Sequence, residues 1–376
     1  MEAPRTTDLN PSPRLLLGPG PSLVNPRVLR ALATPLVGHL DPQFITIMEE
    51  VQQLLRYVFQ TENDLTVPVS GTGSAGMEAA LCNFIEPGDR VLVAVKGYFG
   101  ERMCDMAARY GAQVDRLDRP WGQVFDPHEI KQALGKANYK LLAIVHAETS
   151  TGALQPGIAE IAAAAHRTGA LLVLDTVTSL GGLPVQIDAW DVDVSYSGTQ
   201  KCLSAPPGLA PLTISPRARE ALRSRRTPVA NWYLDLSQLE KYWGKERTYH
   251  HTAPISMNYA LREALRIVAE EGLEARFARH QENAQLLWEG LEALDMALLV
   301  PVEHRLPTLT TPLVPPAVDE ARLRQRLLNE YNIEIAGGFG QLKGKVLRIG
   351  LMGFGSRREN ITLLLAAMRQ LLANGK

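Results

Sequence analysis

Short, almost wholly apolar runs separated by amphipathic stretches are the feature that most restricts how this chain can fold. Leu141–Val145 is one such run and Ala170–Leu174 is the next, with an amphipathic stretch between them. Strands that carry no polar face are typical of parallel sheets covered by helices on both sides. Because such strands alternate here with helical patterns, we predict a large α/β domain with a mostly parallel central sheet between helices.

The same patterns predict the positions of the elements. The predicted strands of the large domain are Leu65–Val69, Val91–Val95, Leu141–His146, Leu171–Leu174 and Val192–Tyr196. Its predicted helices are Gln43–Phe59, Ala75–Ile85, Gly100–Tyr110, Pro127–Leu134 and Gly157–Arg167. A long helical pattern then runs from Ser256 to Leu291, with an interruption at Gly272. The last predicted elements are strands at Thr308–Leu313 and Val346–Ile349 and helices at Asp319–Tyr331 and Arg357–Leu372, which suit a small α+β domain.

The length of the chain predicts more than one domain. Single hydrophobic cores stop growing at roughly 250 to 300 residues, and this chain has 376 residues. A Pro-rich segment precedes the first regular pattern, so we assign an N-terminal arm to residues 1–21. We assign the large domain to residues 22–268 and the small C-terminal domain to residues 269–376.

Charge and hydrophobicity exclude two classes of partner. The net charge is −1, and no run of Lys or Arg supplies the positive surface that a phosphate backbone or an anionic lipid attracts. The apolar runs end in His146 and Asp175, well short of the roughly 18 apolar residues that a membrane span requires. We therefore expect neither nucleic acid nor a membrane as a partner.

Cysteine usage and the termini predict a reducing, cytoplasmic location. The three cysteines are widely spaced and form no CxxC pair, so we expect neither a disulfide framework nor a structural zinc site. The first residues carry an acid and prolines instead of the apolar core of a secretory signal. The final tripeptide, Asn374–Lys376, is not a Ser-Lys-Leu ending, although a peroxisomal location stays open for a eukaryotic chain.

A glycine-rich loop, Ser70–Gly76, follows a predicted strand and opens a predicted helix. Its glycines match the GxGxxG spacing of a dinucleotide fold, but that fold needs an acid at the end of the next strand, where this chain has Lys96. A P-loop also fails, because no Gly-Lys-Ser/Thr closes the motif. Two interpretations remain: a helix N-terminus that binds one phosphate with help from Thr72 and Ser74, or a tight turn without a ligand.

Asp175 ends one predicted strand, and Lys201 closes the polar turn after the next. In open parallel sheets, ligands bind outside the carboxyl ends of the strands. Taken singly, Asp175 is better explained as a capping residue and Lys201 as a solvated lysine. Together with a phosphate-binding loop, they are what a pyridoxal phosphate enzyme needs. The lysine holds the cofactor aldehyde covalently, and the aspartate keeps the ring nitrogen protonated.

Further motifs make the chain resemble one family. They are Leu15–Ser22, Tyr57–Thr61, Ser150–Pro156, Ser179–Gly182, the lysine motif, Tyr249–Thr252 and Leu347–Leu351. Their order and spacing over nearly the whole chain resemble the class V aminotransferases of fold-type I pyridoxal phosphate enzymes, and within them the alanine–glyoxylate and serine–pyruvate aminotransferases. The resemblance implies a fold-type I architecture with a large cofactor-binding domain, and a homodimer with shared active sites.

By this resemblance, Thr72, Gly73 and Ser74 belong to the loop that binds the cofactor phosphate. Gln200 matches a further phosphate contact beside the lysine. Animal members of the family carry histidine where this chain has Ser74, so we expect the phosphate contact at that position to be lost or weakened.

Other positions match residues around the cofactor ring. Phe99 matches the aromatic residue that stacks on the ring, where the animal enzymes have tryptophan, and Val177 matches the apolar residue under the opposite face. Ser150 matches a hydroxyl near the ring oxygen and the substrate. Without the resemblance, Phe99 and Val177 would be assigned to the core and Ser150 to a turn.

Tyr249 and Thr252 match residues that reach the cofactor phosphate of the other subunit. Between them lie His250 and His251, which do not predict a metal site. Adjacent side chains diverge, and no third ligand lies at zinc spacing. We therefore expect a shared site in a homodimer, without a metal.

Arg348 lies in a strand-like run, where a charge is costly unless an anion meets it. The residue pattern alone leaves two interpretations, a structural salt bridge or an anion-binding residue. In the family, the matching arginine binds the substrate α-carboxylate with its two-pronged guanidinium group.

The resemblance implies an aminotransferase that moves the amino group of alanine or serine to glyoxylate, giving pyruvate or hydroxypyruvate and glycine by double displacement. Lys201 and Asp175 are then catalytic, Arg348 and Ser150 bind substrate, and the ligands are small amino acids and 2-oxo acids. Alternatives are another class V enzyme, such as a 2-aminoethylphosphonate transaminase or a cysteine desulfurase, and a non-catalytic binding protein of the same fold. A desulfurase usually has histidine before the lysine, where this chain has Gln200.

Overall fold

A computed structural model describes residue 1 and residues 3–373 of the chain. The tripeptide Asn374–Lys376, on which the expectation about a peroxisomal ending rests, lies outside the described residues. Within residue 1 and residues 3–373, no helix is long and apolar enough to cross a membrane.

Strands and helices alternate along most of the chain. The strands are β1 (Leu15–Leu16), β2 (Thr66–Ser70), β3 (Arg90–Val95), β4 (Gln113–Asp118), β5 (Leu141–Val145), β6 (Ala147–Glu148), β7 (Ala153–Leu154), β8 (Leu171–Asp175), β9 (Val194–Tyr196), β10 (Leu209–Ile214), β11 (Leu309–Thr310), β12 (Ile333–Glu334), β13 (Ala336–Gly337) and β14 (Leu347–Gly350). The helices are α1 (Pro26–Leu32), α2 (Pro42–Phe59), α3 (Gly73–Cys82), α4 (Tyr98–Arg109), α5 (Pro127–Leu134), α6 (Ile158–Arg167), α7 (Pro216–Arg223), α8 (Leu236–Trp243), α9 (Ile255–Glu271), α10 (Leu273–Glu292), α11 (Glu320–Tyr331) and α12 (Arg358–Ala373).

The central sheet has seven strands in the order β2-β10-β9-β8-β5-β3-β4. Strand β10 runs antiparallel to both of its neighbours, and the other strands are parallel to one another. The predicted fold class, a mostly parallel sheet between helices, is therefore confirmed. All six residues of β10 are buried, but Pro211 interrupts its apolar run, and proline inside a run argues against a central strand.

Apolar side chains cover both faces of the central sheet. On one face, Val93 and Val173 lie in a cluster with Met77 of α3 and Met103 of α4. On the other face, the neighbouring residues of the same strands lie in a second cluster with residues of α6 and α9; examples are Leu92, Leu172, Ile161 and Leu265. Because both faces are covered by helices, the strands carry no polar face, which explains their uniformly apolar sequences.

The C-terminal part of the chain forms a further core. Helices α10, α11 and α12 pack there against β14. The N-terminal segment adds to it, since Leu15 and Leu16 pair with β12 and Leu17 is fully buried in the same cluster. The main-chain N–H of Gly350 donates to the Leu17 carbonyl at 2.8 Å. Residues 15–17, assigned to an N-terminal arm, are thus packed into the C-terminal core.

Candidate active site

Asp175 ends β8 at the edge of the sheet where the carboxyl ends of the parallel strands meet. Its side chain is buried, and its Oδ1 accepts a hydrogen bond from the Val177 main chain at 2.8 Å. Its Oδ2 accepts a hydrogen bond from the Tyr196 hydroxyl at 2.8 Å. Burial raises the pKa of Asp175 to about 7, and these two hydrogen bonds oppose that rise. The carboxyl is therefore poised between its charged and neutral forms near neutral pH.

Tyr196 is a site residue that the sequence did not identify. It ends β9, which lies beside β8, and its side chain is fully buried. Its position at the end of an apolar run indicates only a core aromatic residue. A buried tyrosine hydroxyl needs a hydrogen-bond partner, however, and the neighbouring strand ends in Asp175. That requirement is the one signal in the sequence that points to the contact.

Lys201 follows β9 and is 9% exposed. Burial lowers the pKa of Lys201 to about 8, and the nearby positive charge of Arg348 adds to this effect. A large fraction of the amine is therefore uncharged at slightly alkaline pH. The sequence predicted the lysine but not the groups that surround its amine.

The N-terminal segment forms the wall around Lys201. The lysine Nζ donates a hydrogen bond to the Pro19 carbonyl, and the Ser22 hydroxyl donates to the Lys201 carbonyl at 2.7 Å. Gly20 has a φ of +110°, and a Cβ at this position would lie 2.8 Å from the lysine Nζ. The positive φ favours glycine at residue 20, and a side chain there would also displace the lysine amine.

The predicted phosphate loop lies at the start of α3. Thr72 is the N-cap residue, and its side chain forms no capping hydrogen bond. Gly73 and Ser74 are in the first turn, where main-chain N–H groups have no intrahelical partner and can bind an anion. The Ser74 hydroxyl accepts a hydrogen bond from Arg102 at 3.1 Å. Arg102, which the sequence did not identify, adds positive charge beside the loop.

The remaining predicted ring and phosphate contacts lie near this loop. A Cβ added to Gly73 would lie 3.5 Å from Val177, so Val177 packs against the loop. Phe99, in the first turn of α4, is half-buried, and the Arg102 guanidinium lies 5.0 Å from the centre of its ring. Gln200 has a buried amide oxygen without a hydrogen-bond partner among the described residues. Such an unsatisfied group indicates a ligand position.

Ser150 is fully buried and bonds to a carboxylate that the sequence did not identify. Its hydroxyl donates to Oε1 of Glu148 at 2.6 Å and accepts a hydrogen bond from the Tyr98 main chain at 3.0 Å. Tyr98 and Phe99 begin α4. Ser150 is thus fixed against the helix that carries the predicted ring-stacking residue.

Arg348 lies in β14 and is 3% exposed. Its Nε donates to the Gly337 carbonyl at 2.7 Å, and its Nη1 donates to the Thr149 carbonyl at 3.3 Å. The ring of Phe339 lies 3.8 Å from its guanidinium carbon. Burial lowers the pKa of Arg348 to about 10. In the part of the chain that the structure describes, no carboxylate pairs with this arginine, so its remaining donors are free for an anion.

Tyr249 and Thr252 lie apart from this buried group. Tyr249 is 56% exposed, and its hydroxyl lies 3.4 Å from the Thr252 hydroxyl. Between them, His251 is within hydrogen-bond distance of Ser70, at 2.7 Å, and of His250, at 2.8 Å. The segment is therefore anchored beside the phosphate loop, while its tyrosine and threonine face outward.

These residues fit pyridoxal phosphate. The uncapped N-terminus of α3, with Arg102 nearby, is chemically suited to a phosphate. Asp175 is an acceptor for a protonated ring nitrogen, and Lys201 is a buried amine of lowered pKa. The unsatisfied oxygen of Gln200 is also explained if a ligand lies beside it.

The chain is similar to known aminotransferases over nearly its whole length. It is 41% identical over 377 residues to the (S)-ureidoglycine–glyoxylate transaminase of Bacillus subtilis (strain 168), covering 96% of this chain and 90% of that protein. It is 42% identical over 365 residues to the alanine–glyoxylate aminotransferase of Callithrix jacchus, covering 96% and 87%.

A solved structure gives the same relationship. The crystal structure of the alanine–glyoxylate aminotransferase from Nostoc sp. superimposes with a TM-score of 0.96 at 55% identity, covering 98% of this chain and 97% of that chain. A sequence profile of the family Aminotransferase class-V matches residues 19–360. The chain therefore belongs to the class V aminotransferases, transaminases of fold-type I that use pyridoxal phosphate.

Proposed function

We propose that this enzyme transfers the amino group of alanine or serine to glyoxylate, giving pyruvate or hydroxypyruvate and glycine. The observation that carries the proposal is the arrangement of Arg348 and Lys201: a buried guanidinium that forms no ion pair within residues 3–373 lies close to a buried amine. A small α-amino acid needs one group to bind its carboxylate and another to act on its amino-bearing carbon. The names of the relatives above, which all include glyoxylate, support the choice of acceptor.

When bound, pyridoxal phosphate supplies an aldehyde that carries the amino group and a ring that accepts electrons from the substrate carbon. The amine of Lys201 would hold that aldehyde and, once displaced by substrate, take and return the α-proton. Asp175 would keep the ring nitrogen protonated, with its orientation fixed by the Val177 main chain and the Tyr196 hydroxyl. Arg348 would hold the substrate carboxylate with its free donors.

The other predicted contacts complete the binding of the cofactor in this proposal. Thr72, Gly73, Ser74 and Gln200 would hold the phosphate at the start of α3. Phe99 and Val177 would lie on the two faces of the ring.

The surroundings of Arg348 support a small donor. The rings of Tyr98 and Phe339 lie 5.0 Å apart, and Phe339 packs on the guanidinium. An aromatic wall of this kind favours a short side chain and offers few partners for a larger polar group. The similarity to the Bacillus subtilis enzyme nevertheless makes (S)-ureidoglycine the second candidate donor.

A cysteine desulfurase is less well supported. Such an enzyme needs a reactive cysteine on a mobile loop, whereas Cys82, Cys104 and Cys202 are all buried. Burial raises the pKa of Cys202 to about 12, which disfavours the reactive thiolate. One structural neighbour, named a cysteine desulfurase, is 16% identical to this chain and shares only its fold.

We further propose a homodimer in which Tyr249 and Thr252 of one subunit reach the cofactor phosphate of the other. Their exposure supports this proposal, since both side chains face outward beside the phosphate loop of their own subunit.

A screen of amino donors against glyoxylate tests the proposed function. Alanine, serine, (S)-ureidoglycine, 2-aminoethylphosphonate and cysteine are offered separately, and glycine formation is measured together with sulfide release for cysteine. We expect the highest kcat/KM with alanine or serine. A higher value with ureidoglycine or the phosphonate would replace the proposed donor, and sulfide release without glycine formation would refute the transaminase reaction.

A further inference from the structure

Glu148 is a buried carboxylate that has no part in the proposed mechanism. It ends β6, pairs with Ala153 of β7 and is fully buried. Its Oε2 is also buried and has no hydrogen-bond partner among the described residues. An unsatisfied buried polar atom destabilises a protein, so stability alone does not explain a carboxylate at this position.

The hydrogen bonds of Glu148 fix the direction of the Ser150 hydroxyl. Two buried cations, Lys96 and Arg348, are close enough for the charge of Glu148 to oppose the lowering of their pKa by burial. The Glu148 oxygen that meets the Ser150 hydroxyl also meets the Ser150 main-chain N–H, which can only donate, so this oxygen is an acceptor. Oε1 accepts the Ser150 main-chain N–H at 3.1 Å and therefore must also accept the Ser150 hydroxyl proton at 2.6 Å.

Of the three hydrogen-bonding sites of the Ser150 hydroxyl, one proton and two lone pairs, only one lone pair remains free for a ligand. Its proton points to Glu148, and one of its two lone pairs accepts the Tyr98 N–H. The second lone pair is left, so Ser150 offers the pocket an acceptor and no donor.

We propose that Glu148 is a positioning residue that sets Ser150 as a hydrogen-bond acceptor for an O–H or N–H group of the bound cofactor or amino acid. The inference rests on the proposed function, in which both ligands bind beside Ser150. Glu148 also lies against the backbone that leads into α4, since a Cβ on Gly97 would be only 2.3 Å from its carboxyl carbon. It therefore holds Ser150 and the start of α4 in a fixed relationship.

Substitution of Glu148 by alanine tests the inference with two readouts. The affinity for pyridoxal phosphate is measured by absorbance titration, and KM for alanine is measured with glyoxylate as acceptor. Without Glu148 the Ser150 hydroxyl is free to turn its proton toward the ligand. We expect a loss of about 3- to 10-fold in one of the two values, the size of a single hydrogen bond. A weaker affinity for the cofactor identifies the cofactor as the donor, and a raised KM alone identifies the amino acid.

The chain provides a matched control in Glu86. Its carboxylate accepts the main-chain N–H groups of Arg226 at 3.0 Å and Thr227 at 2.8 Å and the Thr227 hydroxyl at 2.8 Å, and it is also buried. Glu86→Ala removes the same kind of contact at the opposite edge of the sheet. It should lower the melting temperature without changing either affinity.

A double-mutant cycle with Ser150→Ala decides whether Glu148 acts through Ser150. In the Ser150→Ala background, Glu148→Ala should cause no further loss. An equal loss with and without Ser150, or no loss in either value, would overturn the inference. If Glu148→Ala does not fold, Glu148→Gln replaces it in the cycle. The neutral amide holds the hydroxyl less strongly, so cofactor affinity or KM for alanine must worsen about threefold. That loss must disappear when Ser150→Ala is also present. A wild-type chain that binds no pyridoxal phosphate would refute the proposed function as well.

Discussion

The polar side chains at the edge of the central sheet and those of the Tyr249–Thr252 segment differ in how many hydrogen bonds they form within one chain. Asp175 and Lys201 are buried, and their polar atoms bond to groups of the same chain. Tyr249 is exposed, and among the described residues the Thr252 hydroxyl is the one group within hydrogen-bond distance of its own. A single chain thus supplies the hydrogen-bond partners of Asp175 and Lys201, whereas the proposed second subunit would account for the outward-facing segment. The following experiments test the two sides of this contrast.

The largest effect is expected from Lys201→Ala. In the proposed mechanism the amine that bonds to Pro19 holds the cofactor and moves the α-proton, so turnover should fall by more than about 1,000-fold. Glycine formation from alanine and glyoxylate measures the loss, and the visible absorbance of bound pyridoxal phosphate should change with it. A nearly unchanged melting temperature would show that the fold is intact. Activity within tenfold of the wild type would remove Lys201 from the mechanism.

Mixing two inactive variants tests whether the Tyr249–Thr252 segment of one subunit completes the site of the other. One carries Lys201→Ala, and the other carries Tyr249→Phe together with Thr252→Ala. If the sites are shared, each mixed dimer has one site with both lesions and one intact site. Random exchange makes half of the dimers mixed, so activity should return to about a quarter of the wild-type value. Exchange is verified with differently tagged subunits, and no recovery after exchange would contradict the shared site.

Arg348→Lys separates carboxylate binding from a structural role. The charge is kept but the two-pronged donor is lost, and a charged hydrogen bond contributes about 1.5 to 3 kcal/mol. We therefore expect kcat/KM for alanine to fall by about 10- to 150-fold with the cofactor still bound. A lowered melting temperature with unchanged kcat/KM would instead indicate that Arg348 acts only in the fold.

The smallest effect is expected from Tyr196→Phe. The Tyr196 hydroxyl lowers the pKa of Asp175 against the effect of burial, so its removal should raise that pKa further above about 7. The ionised carboxylate is needed to hold the protonated ring nitrogen. The acid limb of the pH profile of kcat/KM should therefore move to higher pH, by about half a unit to one unit. A limb that stays in place or moves to lower pH would contradict this assignment.

The sequence predicted the parts of the fold and site that depend on local pattern. Asp175 follows an apolar strand and Gly73 opens a helix, and both features are visible within a few residues. The contact of Pro19 with Lys201 joins residues 182 positions apart, so no local period indicates it. Glu148 was missed because a glutamate beside a strand is ordinarily a surface residue. Strand β4 was missed because three of its six residues are charged, as suits its place at the edge of the sheet.

The N-terminal segment connects the strand that carries Arg348 to the side chain of Lys201 through a short stretch of backbone. Leu17 is hydrogen-bonded to Gly350, two residues beyond Arg348, and Pro19 contacts the amine of Lys201. Only one residue separates the two tethered positions, so little slack is available between them. Any displacement of β14 would pull on the carbonyl that restrains the lysine. In the proposed mechanism, the short segment between Leu17 and Pro19 would therefore limit how independently Arg348 and Lys201 can move.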